Sequence, residues 1–192
     1  MGRVCVFFAE GYEEIEALTV VDLVRRVGID TDMVSVTGEK TVTGSHGISV
    51  EMDRLYAEVD FSEVDMLVLP GGMPGTVHLE AYAPLMEQVD DFYAKGKYVA
   101  AICAAPSILG HRGMLKGNKA CSYPDKEKEL EGAEVTKSSV EIADNLITSR
   151  GMGCAIDFGL AIVAVLKGQE EADALAEKIV YLYNLPETER RQ

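Results

Sequence analysis

The chain has 192 residues, of which 47% are hydrophobic and 26% are charged, and this composition is typical of a globular protein and argues against disorder. Its 32 acidic residues outnumber its 18 basic residues, which gives a formal net charge of -14. Proteins that bind nucleic acid or an anionic membrane surface through its charge need clustered Lys and Arg, so we expect neither partner. The acidity is interpreted simply as keeping the protein in solution.

The start of the chain does not predict a secretory signal, because Glu10 comes too early to leave room for an apolar core. No run approaches the roughly 18 apolar residues of a membrane helix. The four cysteines, Cys5, Cys103, Cys121 and Cys154, lack a C-x-x-C spacing, so neither a disulfide framework nor a zinc site is indicated. We expect a cytoplasmic protein with reduced thiols and no bound metal.

Short apolar runs rich in β-forming residues alternate along the chain with stretches of helical periodicity. In chain order the predicted elements are strand Arg3–Phe8, helix Glu13–Val27, strand Asp32–Val36, hairpin Lys40–Val50, strand Met66–Leu69, helix Ala83–Ala94, strand Tyr98–Ile102, strand Leu146–Ser149, helix Ala155–Leu166 and helix Glu170–Tyr183. This alternation predicts an α/β fold, with a mostly parallel sheet between helices on both faces. Ligands of such folds bind beyond the carboxyl ends of the strands.

Three local features complete this organisation. The first helix is predicted to turn one stripe to the core, formed by Ile15, Leu18, Val21 and Val24. The hairpin is predicted to lie outside the parallel core, at a rim or a dimer contact. The charged tail Glu187–Gln192 is predicted to fray. No repeat or long linker divides the chain, so we expect residues 1–192 to form one domain.

Cys103 stands where the strand Tyr98–Ile102 ends and another helix is predicted to begin. Small residues two places before and after it, Ala101 and Ala105, permit the sharp turn of a nucleophile elbow, and Pro106 suits a first helical turn. A thiol above helix N-terminal amides is expected to favour its thiolate, and so to be nucleophilic and easily oxidised. The alternative is a buried, inert core cysteine.

A glycine-rich loop, Leu69–Gly75, directly follows a predicted strand. The backbone amides of Gly71 and Gly72, with that of Ala104, are predicted to stabilise negative oxygen on a carbonyl substrate or on an oxidised sulfur. A structural turn is the alternative. The loop lacks both the lysine of a P-loop and the glycine spacing of a dinucleotide site, and no metal or organic cofactor is expected.

Three acidic residues, Glu13, Glu14 and Glu16, open the first predicted helix, where the helix dipole favours carboxylates. Solvated surface acids are one interpretation. Glu16 shares a helix face with Val20, and partial burial there is expected to raise the pKa of its carboxyl group. A carboxyl group held near neutrality is predicted to donate a hydrogen bond to a thiolate or to relay protons.

The three histidines, His46, His78 and His111, do not adjoin Cys103. A Cys/His hydrolase needs an imidazole that takes the thiol proton and passes it to a leaving amine. The sequence therefore argues against peptide-bond cleavage.

Four motifs, in chain order, are together more specific than any one of them. They are Gly11–Glu16, Leu67–Gly72, Ala100–Pro106 and Thr148–Gly151. Together they resemble the ThiJ/PfpI superfamily, and most closely its DJ-one branch, over nearly the whole chain from Arg3 to Lys167. The resemblance implies a flavodoxin-like three-layer sandwich of the class I glutamine amidotransferase type, usually assembled as a homodimer.

The resemblance assigns roles to individual residues. It implies that Cys103 is the nucleophile, that Glu16 is its protonated partner, and that the amides of Gly72 and Ala104 hold an oxyanion or a cysteine sulfinate. Four further residues are candidate contacts to substrate or to a partner subunit. Arg26 matches a family arginine, His46 and Tyr123 replace a basic residue and a histidine of relatives, and Arg150 belongs to the fourth motif.

The activity implied by the resemblance is that of a cysteine-dependent, cofactor-free enzyme acting on reactive carbonyls. It would convert a small aldehyde such as methylglyoxal to lactate, or act on a glycated substrate. Peptidases of the superfamily have a histidine where this chain has Ala104, so a protease is not expected. Two alternatives remain, a non-enzymatic oxidative-stress sensor or chaperone, and the family's thiamine-precursor (thiazole monophosphate) biosynthesis label.

Overall fold

The protein is described by a computed structural model over residues 2–181. The strands are β1 (Arg3–Phe8), β2 (Asp30–Ser35), β3 (Thr41–Thr43), β4 (Ser49–Glu51), β5 (Arg54–Leu55), β6 (Met66–Leu69), β7 (Tyr98–Ile102), β8 (Lys119–Ala120), β9 (Glu134–Val135), β10 (Val140–Ala143) and β11 (Leu146–Ser149). The helices are α1 (Glu14–Arg26), α2 (Gly75–Ala81), α3 (Ala83–Ala94), α4 (Pro106–His111), α5 (Ala155–Lys167) and α6 (Gln169–Lys178). Within this range no helix is both long and apolar enough to cross a membrane.

Across residues 2–181, seven of the strands form one sheet in the order β10-β11-β7-β6-β1-β2-β5. Neighbouring strands run parallel, except that β10 is antiparallel to β11. The mostly parallel sheet predicted from the alternation of elements is therefore confirmed. Because β11, β7, β6 and β1 are adjacent and parallel, the loops after them meet at one edge of the sheet.

Helices cover both faces of this sheet, and alternate strand residues point into two separate cores. In β1, Val6 and Phe8 pack with residues of α1, α5 and α6, whereas Cys5 and Phe7 pack with residues of α3 and α4. Burial on both faces explains why the strands read as continuous apolar runs instead of alternating ones. The flavodoxin-like three-layer arrangement is confirmed.

Most predicted bounds agree with the structure to within one residue, and two differ more. β2 begins at Asp30, which lies opposite Arg3 of β1 in the parallel register. The last helix ends at Lys178 instead of Tyr183, because Val180 adopts a left-handed φ of 58° that a helix cannot continue. Tyr183 and the predicted frayed tail lie outside the described residues.

The predicted apolar stripe of α1 is wrong at its first position. Ile15 is 50% exposed, whereas Glu14 and Glu16, on either side of it, are buried. The first turn of α1 is covered by polar loops and not by the apolar core, so carboxylates occupy its buried side. The interpretation of these two residues as surface acids is therefore wrong.

The segment 40–50 forms the predicted antiparallel hairpin, β3 with β4, separate from the main sheet. Its tip is fastened to α1 by the buried carboxylate of Glu14, which accepts a hydrogen bond from the His46 N–H at 2.7 Å and lies 2.9 Å from His46 Nδ1. The Gly11 N–H donates to the carbonyl of Thr43 at 2.9 Å. The hairpin is thus tied to the loop between β1 and α1.

Phe158 tests the core beneath α5. Its side chain is fully buried, so Phe158→Ala should lower the free energy of unfolding by about 3–5 kcal/mol, measured by urea denaturation. Val77→Ala, at a residue of α2 that is 49% exposed, is the control and should lose less than about 1.5 kcal/mol. Equal losses in the two variants would contradict the position of Phe158 in the core.

Candidate active site

Cys103 occupies the sharp corner between β7 and α4. Its φ is 64°, in the left-handed region that residues other than glycine rarely adopt. The backbone is held on both sides, because the Cys103 N–H donates to the carbonyl of Ser149 at 3.0 Å and its carbonyl accepts from the Tyr123 N–H at 2.8 Å. Pro106 stands in the first turn of α4, as predicted. The corner therefore fixes where the thiol points.

Glu16 approaches this thiol from the first turn of α1 and is only 1% exposed. Its own N–H donates to Glu13 Oε2 at 2.7 Å, which caps the helix. Its carboxyl group accepts from the Gly71 N–H at 3.0 Å, accepts from the Met152 N–H, and is hydrogen bonded to the Cys103 thiol. The carboxyl group is thus positioned against the sulfur by three different segments of the chain.

The protonation of this pair follows from its burial. Burial raises the pKa of Glu16 to about 7, against hydrogen bonds from Cys103, Gly71 and Met152 that lower it. Burial, and then the charge of Glu16, raise the pKa of the Cys103 thiol to about 12, although the amides of Ala104 and Gly72 favour the thiolate. At pH values between these two pKa values, the pair holds one proton that both groups share. The predicted rise in the pKa of Glu16 is confirmed.

The predicted activation of Cys103 by a helix N-terminus is not the largest influence on its protonation, although the amides of Ala104 and Gly72 do favour the thiolate. α4 has only six residues, and burial beside a carboxylate outweighs whatever its N-terminus contributes to the thiol. The thiolate instead depends on Glu16. When Glu16 holds the shared proton, the negative charge that raises the pKa of Cys103 is gone, and the protonated carboxyl group donates a hydrogen bond to the sulfur.

Gly71 lets three segments approach closely. A Cβ at this position would lie 2.6 Å from Cys103 Cβ and 2.6 Å from Glu16 Oε2, far inside any normal carbon contact. Gly72 has a φ of 93° and lies against the backbone of the loop that precedes α1. Glycine at position 71 therefore permits the contact between Cys103 and Glu16, and glycine at position 72 permits the close approach of the loop before α1.

The three predicted oxyanion amides divide into two groups. The amides of Gly72 and Ala104 face the Cys103 sulfur and favour its thiolate, and their predicted role in holding an oxyanion or a sulfinate stays a prediction. The amide of Gly71 donates instead to the Glu16 carboxyl group, so its predicted role as an oxyanion donor is wrong. Gly71 is a spacer and an anchor for Glu16.

A cavity of about 250 Å³ opens above the sulfur. Gly151 lies beside two of its lining residues, because a Cβ there would lie 3.6 Å from Tyr123 Cδ2 and 3.9 Å from Cys103 Sγ, which places the loop of the fourth motif next to the site. Sequence analysis missed Met73, which follows the predicted glycines. It also missed two residues of the turn after Tyr123, for which no sequence signal exists. The full lining is Glu13, Gly72, Met73, Cys103, Ala104, Tyr123, Asp125 and Lys126.

Of the four predicted substrate or partner contacts, only Tyr123 lines this cavity. The other three are cationic or titratable side chains that each contact a carboxylate of the same chain. The pairs are Arg26 with Asp22 at 2.5 Å, His46 with Glu14 at 2.9 Å, and Arg150 with Glu127 at 3.1 Å.

One group of metal-ligand type occurs among the described residues. Ligand atoms of Glu13, Glu14 and His46 lie within 4.8 Å of one another. Glu14 already binds the hairpin through His46, and Glu13 caps α1 through the Glu16 N–H. These atoms therefore have structural partners, and we assign no metal to them.

Comparison with known proteins agrees with this geometry. The sequence profile of the DJ-1/PfpI family matches residues 2–165. The chain belongs to the DJ-1/PfpI family. The resemblance inferred from the four motifs is thereby confirmed.

Individual relatives show how far the likeness extends. Protein DJ-1 homolog B of Arabidopsis thaliana is 36% identical over 180 residues, which cover 93% of this chain but only 41% of that protein. The glutathione-independent glyoxalase DJR-1.2 of Caenorhabditis elegans is 30% identical over 171 residues, covering 88% of this chain and 91% of that protein. The structure of oxidised Toxoplasma gondii DJ-1 has a TM-score of 0.91 and 34% identity, and the match covers 95% of this chain and all of that one.

The raised pKa of Glu16 predicts a pH-dependent stability. The unfolded carboxyl group titrates near 4.5 and the folded one near 7, so the folded protein binds the proton more tightly and loses stability as pH rises between these values. Glu16→Gln, which has no charge to bury, should match the wild type near pH 4.5 and exceed its free energy of unfolding by about 2–3 kcal/mol at pH 8.

Urea denaturation at the two pH values measures this difference. Glu171→Gln, at an exposed acid of α6, should follow the wild type to within about 0.5 kcal/mol at both. A pH-independent gap between Glu16→Gln and the wild type would refute the titration of Glu16 in this range.

The spacer role of Gly71 is tested in the same assay. Gly71→Ala should lower the free energy of unfolding by about 1–3 kcal/mol, because its methyl group overpacks the contact between Cys103 and Glu16. Gly153→Ala is the control, since a Cβ there meets nothing within 4 Å. A Gly71→Ala protein as stable as the control variant would contradict the close approach.

Proposed function

We propose that this protein is a cysteine-dependent, cofactor-free enzyme that converts a small 2-oxoaldehyde, such as methylglyoxal, to a 2-hydroxy acid. The observation that carries the proposal is the buried hydrogen-bonded pair of Cys103 and Glu16 beneath a cavity, with two backbone amides directed at the sulfur. The glyoxalase name of the C. elegans relative gives independent support. Action on a glycated side chain, the deglycase form of this chemistry, stays a prediction.

The first step is addition of the Cys103 sulfur to the aldehyde carbon. The C–S bond forms, the carbonyl π electrons move to the oxygen, and the proton shared with Glu16 completes the hemithioacetal. The amides of Gly72 and Ala104, which reach the sulfur, lie where negative oxygen next to that sulfur would develop.

The second step moves hydrogen between the two carbons of the adduct. Glu16 takes the proton from the former aldehyde carbon and returns one to the neighbouring carbon through an enediol. The first carbon is oxidised to a thioester while the second is reduced to an alcohol, so no external oxidant is needed. A pKa of about 7 suits Glu16 to accept and donate protons near neutral pH.

The third step releases the product. Water adds to the thioester carbon, the C–S bond breaks, and Cys103 recovers its proton. The sum is R–CO–CHO + H₂O → R–CHOH–COOH, which balances in atoms and electrons. Methylglyoxal gives lactate by this route.

A second candidate function, an oxidation sensor, is favoured by the same amides. A sulfinate at Cys103 would place its oxygens toward Gly72, Ala104 and Glu16, the groups that already hydrogen bond the sulfur. Two equivalents of hydrogen peroxide supply the two oxygens and leave as water. The thiamine-precursor alternative has no supporting contact among the described residues around Cys103.

The homodimer implied by the family resemblance stays a prediction. The surface we propose for it is a depression beside α1, which is lined by the apolar residues Leu18, Leu23, Ile156, Ile179 and Val180 and by the polar residues Thr19, Asp22, Arg26 and Lys178. The predicted cytoplasmic location and single domain likewise stay predictions.

The activity is tested by following the formation of lactate from methylglyoxal. Cys103→Ser should lower kcat/KM by at least about 10³-fold, because the hydroxyl is a far weaker nucleophile than a thiolate, and Glu16→Gln should lower it by about 10²- to 10⁴-fold. For the wild type, kcat/KM should rise with pH with a midpoint about 7, where the pair loses its first proton, and this midpoint should be absent in Glu16→Gln.

Cys154→Ser, at a half-buried thiol that does not line the cavity, is the matched control and should stay active. Intact mass after mild peroxide separates the two candidate functions. If the wild type makes no lactate, yet gains two oxygens at Cys103 and stays folded, the enzyme proposal is refuted and the oxidation sensor is favoured.

A further inference from the structure

Two large apolar side chains stand exposed at the mouth of the Cys103 cavity. Met73 is 52% exposed and Tyr123 is 48% exposed, and both line the cavity. Gly72 and Ala104 line it closer to the sulfur and leave room there. The cavity thus has a small polar floor and an apolar mouth, a combination that suits a ligand with a reactive polar end and an apolar body.

The charges at this mouth are predominantly negative. Glu13 and Asp125 line the cavity, and Glu16 lies behind its floor. The cation in the lining, Lys126, is neutralised because its Nζ lies 3.0 Å from both carboxylate oxygens of Glu129. Among residues 2–181, no other cationic side chain lines the cavity, so the lining has no further cation that could bind a substrate carboxylate.

We propose that this cavity selects uncharged 2-oxoaldehydes with a bulky apolar substituent, which packs between Met73 and Tyr123, and that it rejects substrates bearing a carboxylate. The inference rests on the proposed function and names its substrate class. Met73 and Tyr123 then determine specificity by contact with the substituent, and Asp125 does so by charge.

The volume of the cavity supports the same class of substrate. A cavity of about 250 Å³ lies just below the usual range for drug-sized ligands, about 300–1,000 Å³. Methylglyoxal, with its single methyl substituent, would reach the floor and leave the apolar mouth empty. Phenylglyoxal would place its dicarbonyl at Cys103 and its ring at the mouth. Its reaction is the same addition of water, giving mandelate with no oxidant or reductant.

Three substrates separate the two parts of the proposal. Phenylglyoxal and methylglyoxal differ in apolar substituent, and 4-carboxyphenylglyoxal differs from phenylglyoxal by one charge. After division by each aldehyde's intrinsic rate with a small thiol in solution, kcat/KM should be about tenfold higher for phenylglyoxal than for methylglyoxal. It should be about tenfold lower for 4-carboxyphenylglyoxal than for phenylglyoxal at low ionic strength, and less so in salt.

Variants of the lining residues test which side chains cause these differences in kcat/KM between substrates. Tyr123→Ala and Met73→Ala should each reduce the phenyl-to-methyl ratio severalfold, whereas Tyr123→Phe should keep it, because the ring and not the hydroxyl forms the wall. Asp125→Asn should raise kcat/KM for 4-carboxyphenylglyoxal severalfold relative to phenylglyoxal. Ile142→Ala, equally exposed at 50% but outside the cavity lining, should leave every ratio unchanged.

The possible results separate failure of the proposed substrate selection from failure of the proposed function. Turnover of methylglyoxal with a normalised phenyl-to-methyl ratio of one or less overturns the apolar selection alone. Equal rates for the charged and uncharged aryl substrates overturn the charge selection alone. A wild type that turns over none of the three overturns the proposed function, and the inference with it.

Discussion

Burial of the Glu16 carboxyl group against the Cys103 sulfur is the constraint on which the site depends. A carboxyl group removed from water resists ionisation, so Glu16 keeps its proton up to about pH 7 and is able to share it with the thiol. Such a group is stable in the interior only when its oxygens are hydrogen bonded. The amides of Gly71 and Met152 meet that need, and Glu13 fixes the helix turn from which Glu16 projects.

The sheet brings these groups together because their loops follow neighbouring parallel strands. Glu16 comes after β1, Gly71 and Gly72 after β6, Cys103 after β7, and the Gly151 loop after β11. In the sheet these strands are adjacent, in the order β11-β7-β6-β1. The four sequence motifs, far apart along the chain, are therefore four consecutive loops along one edge of the sheet, where parallel α/β folds bind their ligands.

Charge acts differently at the scale of the chain and at the scale of the site. The net charge of -14 is the basis for expecting no polyanionic partner, whereas the charge of the cavity depends on ion pairs in its immediate surroundings. Arg150 and Lys126, both near the site, are engaged by Glu127 and Glu129. The acidic excess thus leaves the mouth of the cavity without an unpaired cation among its lining residues, and apolar contact becomes the main basis of selection that we infer.

Hydrophobic patterning in the sequence alone determined the alternation of strands and helices, because a strand buried on both faces reads as an apolar run whatever it packs against. Local sequence also indicated Cys103, Glu16 and the Gly71-Gly72 pair. A sharp turn needs small neighbours, and an acid that shares a helix face with an apolar residue is expected to be partly buried. Only the tertiary structure decided that Gly71 anchors Glu16 and that Asp125 and Lys126 line the cavity, because these depend on contacts between distant segments. It also decided the protonation of Cys103, since burial and one neighbouring carboxyl group outweigh the local helix N-terminus.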